Sequence, residues 1–229
     1  MISIVIPAYN EGEAILDQLQ ELFDGHRVEQ CVVVDASETQ SFESVREKVF
    51  AAFPAKTLNY IAANTAGRGA QMNTGAANSE GSILLFLHAD TQLPEGALAQ
   101  IQQGIEKGWH WGRFDVRFDN TGWPYRMIAS TMNWRSRASR IATGDQAIFM
   151  TRAAFDLVNG YDEIALMEDI AMSKKLKTIG PPLCLEAKVK TAARRWENKG
   201  VIRTILLMWW LRLAYWLGVS PERLASWYR

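Results

Sequence analysis

Apolar runs of strand length alternate with amphipathic stretches through the front of the chain. Ile2 to Ala8, Cys31 to Val34 and Ile83 to Leu87 are nearly unbroken apolar runs, and Leu58 to Ala62 is a weaker one. Runs apolar on both faces belong in the middle of a mostly parallel sheet with helices covering each side. Between them, Ile15, Leu19, Leu22 and Phe23 form the stripe of a helix lying on a sheet, ending near Gly25. Val45, Val49, Ala52 and Phe53 mark a second helix before Pro54, and Gly67-Arg68-Gly69-Ala70 opens a third over Gln71 to Asn78. Three strand–helix alternations followed by another strand predict right-handed crossovers and parallel pairing. A helix from Gly96 to Lys107 follows, with Leu98, Ile101 and Ile105 on one face.

The pattern changes from Trp109. Arg113 to Phe118 alternates with period two, which suits a strand with one wet face. Trp123 to Ser139 reads as a helix after Pro124, mixing Arg126, Arg135 and Arg137 with Met127, Ile128, Met132 and Trp134. A short strand at Ala147 to Met150, a helix at Ala153 to Val158, a helix opening at Met167-Glu168-Asp169 and a last strand at Pro182 to Val189 complete this part. Val201 to Val219 is strongly apolar, but Arg203 and Arg212 leave an uncharged stretch of only eight residues, too short for a bilayer core of about 30 Å. The two arginines project from opposite sides of a helix, which therefore wants cover nearly all round: from the domain, from a second copy or partner, or from a membrane surface. No repeat or linker interrupts the chain, which reads as one domain over 1–229 with parts at 1–92, 93–200 and 201–229.

Charge and cysteine content narrow the classes. Twenty-five basic and 25 acidic residues cancel, so nothing in the balance argues for nucleic acid as a partner. Cys31 and Cys184 lack metal-ligand spacing and read as buried free thiols of a reducing compartment. Met1 leads directly into an apolar strand without a basic leader, so the cytoplasm is the expected location. The apolar C-terminal segment adds a peripheral place at the inner face of a membrane as the alternative.

In open sheets of this kind, ligands bind beyond the carboxyl ends of the strands. Pro7-Ala8-Tyr9-Asn10-Glu11 follows the first strand, Asp35 the second, and His88-Ala89-Asp90 the fourth. Glu168-Asp169 stands at a helix start. Each signal has a plain structural reading beside the chemical one. Asp35 and Asp90 suit capping turns, Glu168-Asp169 suits a helix dipole, and Gly67-Arg68-Gly69 suits an ordinary turn.

In order, these motifs resemble the inverting glycosyltransferases of family 2, built on the GT-A fold, over nearly the whole chain. The runs Gly67 to Asn73, Gly144 to Phe149 and Ala193-Arg194-Arg195-Trp196 are similar to a small, soluble bacterial subgroup of that family. The resemblance implies a central, mostly parallel mixed sheet flanked by helices, with a nucleotide-binding half (1–92), an acceptor half (93–200) and an apolar C-terminal helix. The implied activity is non-processive, hexosyltransferase-like transfer from a nucleotide-diphosphate sugar to a hydroxyl acceptor, lipid-linked acceptors included. Pro7, Ala8, Tyr9 and Glu11 would flank the base and ribose, and Asp35 would accept the ring N–H. Arg68, Gly69 and Asn73 would meet the diphosphate. Ala89 and Asp90 fall in the family's Asp-X-Asp position, where Mn²⁺ or Mg²⁺ would bridge the phosphates. His88 replaces the first acid, and imidazole suits Mn²⁺ better than Mg²⁺. Asp169 would be the general base with Glu168 beside it. Gly144, Asp145 and Gln146 would lie at the acceptor entrance, with Arg194, Arg195 and Trp196 near the diphosphate and sugar. Position 192 is Ala where processive members carry Gln, which removes the case for processivity. The arginines of the Trp123 to Arg140 segment suit an anionic acceptor. Two other classes share parts of this pattern. A sugar-phosphate nucleotidyltransferase would need a Gly-rich loop where Tyr9 to Glu13 stands, and a non-catalytic nucleotide-binding or membrane-docking module would not need Asp90 and Asp169. No Gly-X-Gly-X-X-Gly follows the first strand, which argues against a dehydrogenase.

Overall fold

Four parallel strands begin the architecture: β1 (Ile2–Ala8), β2 (Gln30–Asp35), β3 (Leu58–Ala62) and β4 (Ile83–Phe86). The computed structural model describes every residue except 54–56, 64, 66 and 229, and the side chains of the rest except those of Arg195, Asn198 and Lys199. In register, Val5 lies beside Val32 and Ala8 beside Asp35, so the strands end together at one edge. All seven residues of β1 are buried. Ile4 and Ile6 face the layer of α1 (Ala14–Gly25) and α2 (Thr39–Ala52), while Val5 faces α3 (Arg68–Ala77). Gly75 lets α3 sit close on the sheet: a Cβ there would stand 2.3 Å from Val5 Cγ1.

Four further strands extend the same sheet: β5 (Thr91–Gln92), β6 (Trp111–Phe118), β7 (Phe149–Thr151) and β8 (Leu183–Thr191). The eight-stranded order is β3-β2-β1-β4-β7-β6-β8-β5. β7 runs antiparallel to both β4 and β6, β6 and β8 are parallel, and β5 closes the far edge antiparallel to β8. The remaining helices are α4 (Ala97–Glu106), α5 (Trp123–Ser139), α6 (Arg152–Leu157), α7 (Glu168–Leu176), α8 (Arg194–Lys199), α9 (Val201–Trp216) and α10 (Pro221–Tyr228). A 3₁₀ turn at Gly144–Gln146 precedes β7.

Several expectations need correction. β6 has no wet face, because Arg117 is its one exposed residue. Asp115 pairs with Arg113 and takes a two-pronged bond from Arg137, with Nη1 to Oδ1 at 2.7 Å and Nη2 to Oδ2 at 2.9 Å. Arg113 and Asp115 are thus buried by pairing rather than left in water, as Arg117 is. Asp90 does not cap α4, whose N-cap is Gly96 in a left-handed conformation. Cys31 is buried, and burial pushes its thiol up to about 12, but Cys184 is only partly buried. The domain itself does not cover the apolar C-terminal run all round. The run forms α9, with α10 following it, and α9 buries only Thr204, Leu211 and Ala214 while Ile202, Leu206, Trp209, Trp210, Leu213 and Trp216 are exposed. No helix among the described residues is long and apolar enough to cross a membrane.

Arg113 is fully buried and depends on Asp115 for its counter-charge. Asp115→Ala is expected to destabilise the protein by about 3–5 kcal/mol, since it leaves a buried cation uncompensated. Arg137→Ala, at a half-open partner, is expected to cost much less. Urea midpoints of the two variants measure the difference, and equal midpoints refute it.

Candidate active site

The ends of β1 and β2 are locked together before any ligand is considered. Gln71 of α3 donates its side-chain N–H to Ala8 O (2.7 Å) and Val34 O (2.8 Å). Asp35 accepts from the Ser37 backbone N–H at 2.8 Å, from Ser37 Oγ at 2.5 Å and from Tyr60 Oη at 2.5 Å. Ser37 Oγ in turn accepts the Asn10 backbone N–H at 2.8 Å, drawing the loop after β1 onto the loop after β2. Asn10 and Gly12 both have positive φ (56° and 57°), which turns that loop sharply and brings Glu11 round.

Glu11 opens onto a cleft of about 460 Å³ across the carboxyl ends of the strands. Arg68, His88, Asp90, Gly144, Asp145, Glu168, Asp169, Arg194 and Trp196, all predicted from the sequence, line it with Glu11. Burial raises the Glu11 carboxyl above its ordinary range, and Asp90 adds to this while Arg194 and Arg68 oppose it. The cleft therefore holds acids and cations within electrostatic reach of one another. Asp90 is exposed to it, with a weak bond from Thr91 Oγ1 at 3.3 Å. His88 is engaged within the cleft wall: its Nδ1 lies 3.3 Å from Asp145 Oδ1, and its Nε2 abuts Gly144, where a Cβ would come within 2.2 Å.

Glu168 and Asp169 begin α7 behind Met167, whose φ of 73° is unusual for a side chain other than Gly. Met167 and Ile170 are buried in a cluster with Leu211, Ala214 and Leu224. The turn is thus held from both sides of the acids. Asp169 accepts the Gly144 N–H on Oδ2 (3.0 Å) and the Ile170 N–H on Oδ1 (2.7 Å). Burial pushes its carboxyl up to about 6, helped by the Glu168 charge and opposed by those two N–H groups. A carboxylate so placed takes up a proton close to neutral pH.

Other predicted residues do not line this cleft. Pro7 and Ala8 are buried within β1, and Asp35 is buried behind its three hydrogen-bond donors. Tyr9 is 60% exposed, and Ala89 packs against the main core. Gly69 is needed by the chain itself, because a Cβ there would stand 2.3 Å from Asp162 O. Asn73 uses both ends of its amide on the Tyr161 backbone, at 2.9 and 2.8 Å. Gln146 is fully buried and completes a capping box with Thr143. The side chain of Arg195 lies outside the described residues. Trp196, which does line the cleft, lies with its ring edge-on to Phe118 at 5.7 Å. Sequence reasoning missed Thr143, Arg212 and Tyr228, which also line the cleft. Arg212 was visible only as an interruption of an apolar run, and Tyr228 arrives through the return of α10, which no local pattern announces.

Among the described residues, no group of three or more His, Cys, Asp or Glu side chains is spaced to hold a metal ion. Asp90 nevertheless fits a cation shared with a ligand, because Mg²⁺ in phosphate sites takes one or two carboxylates and completes its shell with phosphate oxygens and water. His88, engaged with Asp145, fits that role less well.

The same fold occurs in solved glycosyltransferases. A mannosyltransferase from Pyrobaculum calidifontis, solved with GDP-Man and Mn²⁺, superposes with a TM-score of 0.67 at 17% identity, over 84% of this chain and 56% of that one. S. aureus TarS 1–349 gives 0.62 at 18% identity over 84% of this chain and 60% of its own, and its complex with UDP-GlcNAc gives 0.61 at 18% over 83% and 58%. The chain thus spans less than two thirds of these structures and shares their GT-A fold. No curated protein matches it by sequence. The family model for glycosyl transferase family 2 matches residues 3–157, well over half of the chain and ending before Glu168-Asp169. The chain belongs to glycosyl transferase family 2.

Proposed function

We propose that this glycosyltransferase moves a sugar from a nucleotide-diphosphate sugar to an acceptor hydroxyl in a single displacement, with inversion at the anomeric carbon. The observation that carries the reading is Asp169, which opens on the same cleft as Asp90 with its carboxyl pushed up to about 6. In the transfer, the acceptor oxygen attacks the anomeric carbon opposite the diphosphate, and its proton passes to the Asp169 carboxylate. The bond from the anomeric carbon to the phosphate oxygen breaks, and its electron pair leaves with the nucleoside diphosphate.

The chain's own groups divide the work. Arg68 and Arg194 lie on the donor side with Glu11 and Asp90, where two cations suit a diphosphate. Asp90 would hold Mn²⁺ or Mg²⁺, which supplies charge neutralisation to the departing diphosphate when bound. Asp35 has three donors on a carboxylate with about four acceptor positions, so it meets a base through the one left over, with exposed Tyr9 as the stacking face. The Gly144 N–H fixes the carboxylate plane of Asp169, and Glu168 keeps its proton affinity high. His88 anchors Asp145 on the acceptor side. The donors named for the Pyrobaculum and S. aureus proteins, GDP-Man and UDP-GlcNAc, set the first nucleotides to test.

Three outcomes are expected. Asp169→Asn lowers turnover on the order of 10²–10⁴ while nucleoside diphosphate binding is kept; unaltered transfer in that variant rules out the base. Turnover requires Asp169 ionised, so kcat rises with pH through about 6 and then levels. A flat profile from pH 5 to 8 contradicts the assignment. In thermal-shift assays, one nucleoside diphosphate raises the melting point, and Mn²⁺ or Mg²⁺ enlarges the shift in the wild type but not in Asp90→Ala. An equal metal effect in both proteins removes Asp90 as the ligand.

A further inference from the structure

A second space adjoins the cleft and is different in kind. It is an apolar groove of about 380 Å³ between α5 and α9, walled by Ile128 and Met132 on one side and Ile205 and Met208 on the other. Trp196, Asp145 and Arg212 border both spaces, so groove and cleft share a boundary. Met127 and Trp209, which also line it, are 43% and 67% exposed. The groove therefore touches the solvent-facing aromatic side of α9 at Trp209 and the rim of the cleft at Asp145.

Arg135 lines this groove, and its Nη1 and Nη2 are buried with no hydrogen-bond partner among the described residues. A guanidinium withdrawn from water needs an anion or acceptors to offset the loss. What faces it does not supply them: Asp169 is close enough to favour its charge, but fully buried Arg113 opposes it. Among the described residues, Arg135 thus keeps two unmatched donors in an apolar groove that adjoins an acidic cleft.

Resting on the transferase reading, we propose that the acceptor is an anionic amphiphile whose single alkyl or isoprenoid chain lies in this groove. Its phosphate sits on Arg135, and its hydroxyl is presented to Asp169. At about 380 Å³ the groove falls in the range of sites that hold small ligands. A neutral chain would leave Arg135 unmatched, and free phosphate would leave the apolar walls wet.

The test titrates the full chain with decyl phosphate below its micelle threshold, and with butyl phosphate, decanol and inorganic phosphate, by calorimetry. Affinity is expected to rise with chain length by up to about fourfold per methylene until the groove is full. Decyl phosphate should therefore bind far more tightly than butyl or inorganic phosphate. Arg135→Gln should weaken decyl phosphate about tenfold or more and leave decanol unchanged. Ile205→Trp, which fills the groove, should abolish the chain-length dependence. Equal decyl phosphate affinity in the wild type and both variants marks adventitious binding to the exposed tryptophans and overturns the proposal. So does decanol binding as tightly as decyl phosphate, or light scattering that shows a second copy closing the groove and excluding the probe. Nucleoside diphosphate binding on the same samples serves as the folding control. Its survival without amphiphile binding overturns the acceptor assignment alone, and its absence with amphiphile binding intact overturns the transferase reading alone.

Discussion

The connection from β4 to β5 governs the shape of the whole sheet. Phe86 ends one strand and Thr91 begins the other, yet four strand-to-strand steps separate them in the sheet order. At about 4.8 Å per step, a flat sheet would hold them about 19 Å apart, whereas five residues fully extended reach about 18 Å at most. The link is not even extended, because the Thr91 N–H turns back to bond His88 O at 3.1 Å. The sheet must therefore curl until β5 returns to the front half, where Gln18 of α1 holds Thr91 O at 2.5 Å. The residues of that tight link are Leu87, His88, Ala89 and Asp90. Phe114, Val116 and Val189 from the back half share one core cluster with Ile4 and Ile6, as the curl demands.

From that constraint the cleft follows. A curled sheet brings the carboxyl ends of β1, β2 and β4 opposite the start of α7, so acids far apart in sequence face one space. One side of the cleft is built on strand ends locked by Gln71 and Asp35, and on the other Asp169 hangs from a helix start. The two sides are stabilised by different means: backbone-directed hydrogen bonds on one, apolar packing on the other.

Much of this was legible in the chain. β1 at Ile2–Ala8, β3 at Leu58–Ala62 and α5 at Trp123–Ser139 coincide with their predicted limits, since continuous apolar runs and a helix-starting proline are local signals. β5 was not legible, because two residues carry no period. β6 misled for a physical reason: its Arg and Asp alternate as surface residues do, but Arg137 from another element completes their neutralisation. The acids of the cleft were readable as residues that break apolar order at strand ends. Asn73 and Gln146 looked like ligand contacts because polar side chains in the middle of motifs look alike. Their partners, Tyr161 and the Thr143 turn, are set by tertiary packing that no single segment records.

The strained backbone at Met167 ties the chemistry to the C-terminal helices. A left-handed turn at a long side chain costs about 1–3 kcal/mol, and burying that side chain returns about 1.5–3 kcal/mol. The burial comes from Leu211 and Ala214 of α9 and Leu224 of α10. Glycine at 167 would relax the turn but forfeit this anchorage. The terminal helix pair thus acts as a brace: shortening the chain before α10 loosens the hinge that aims Glu168 and Asp169, although Leu224 itself takes part in no bond-making step.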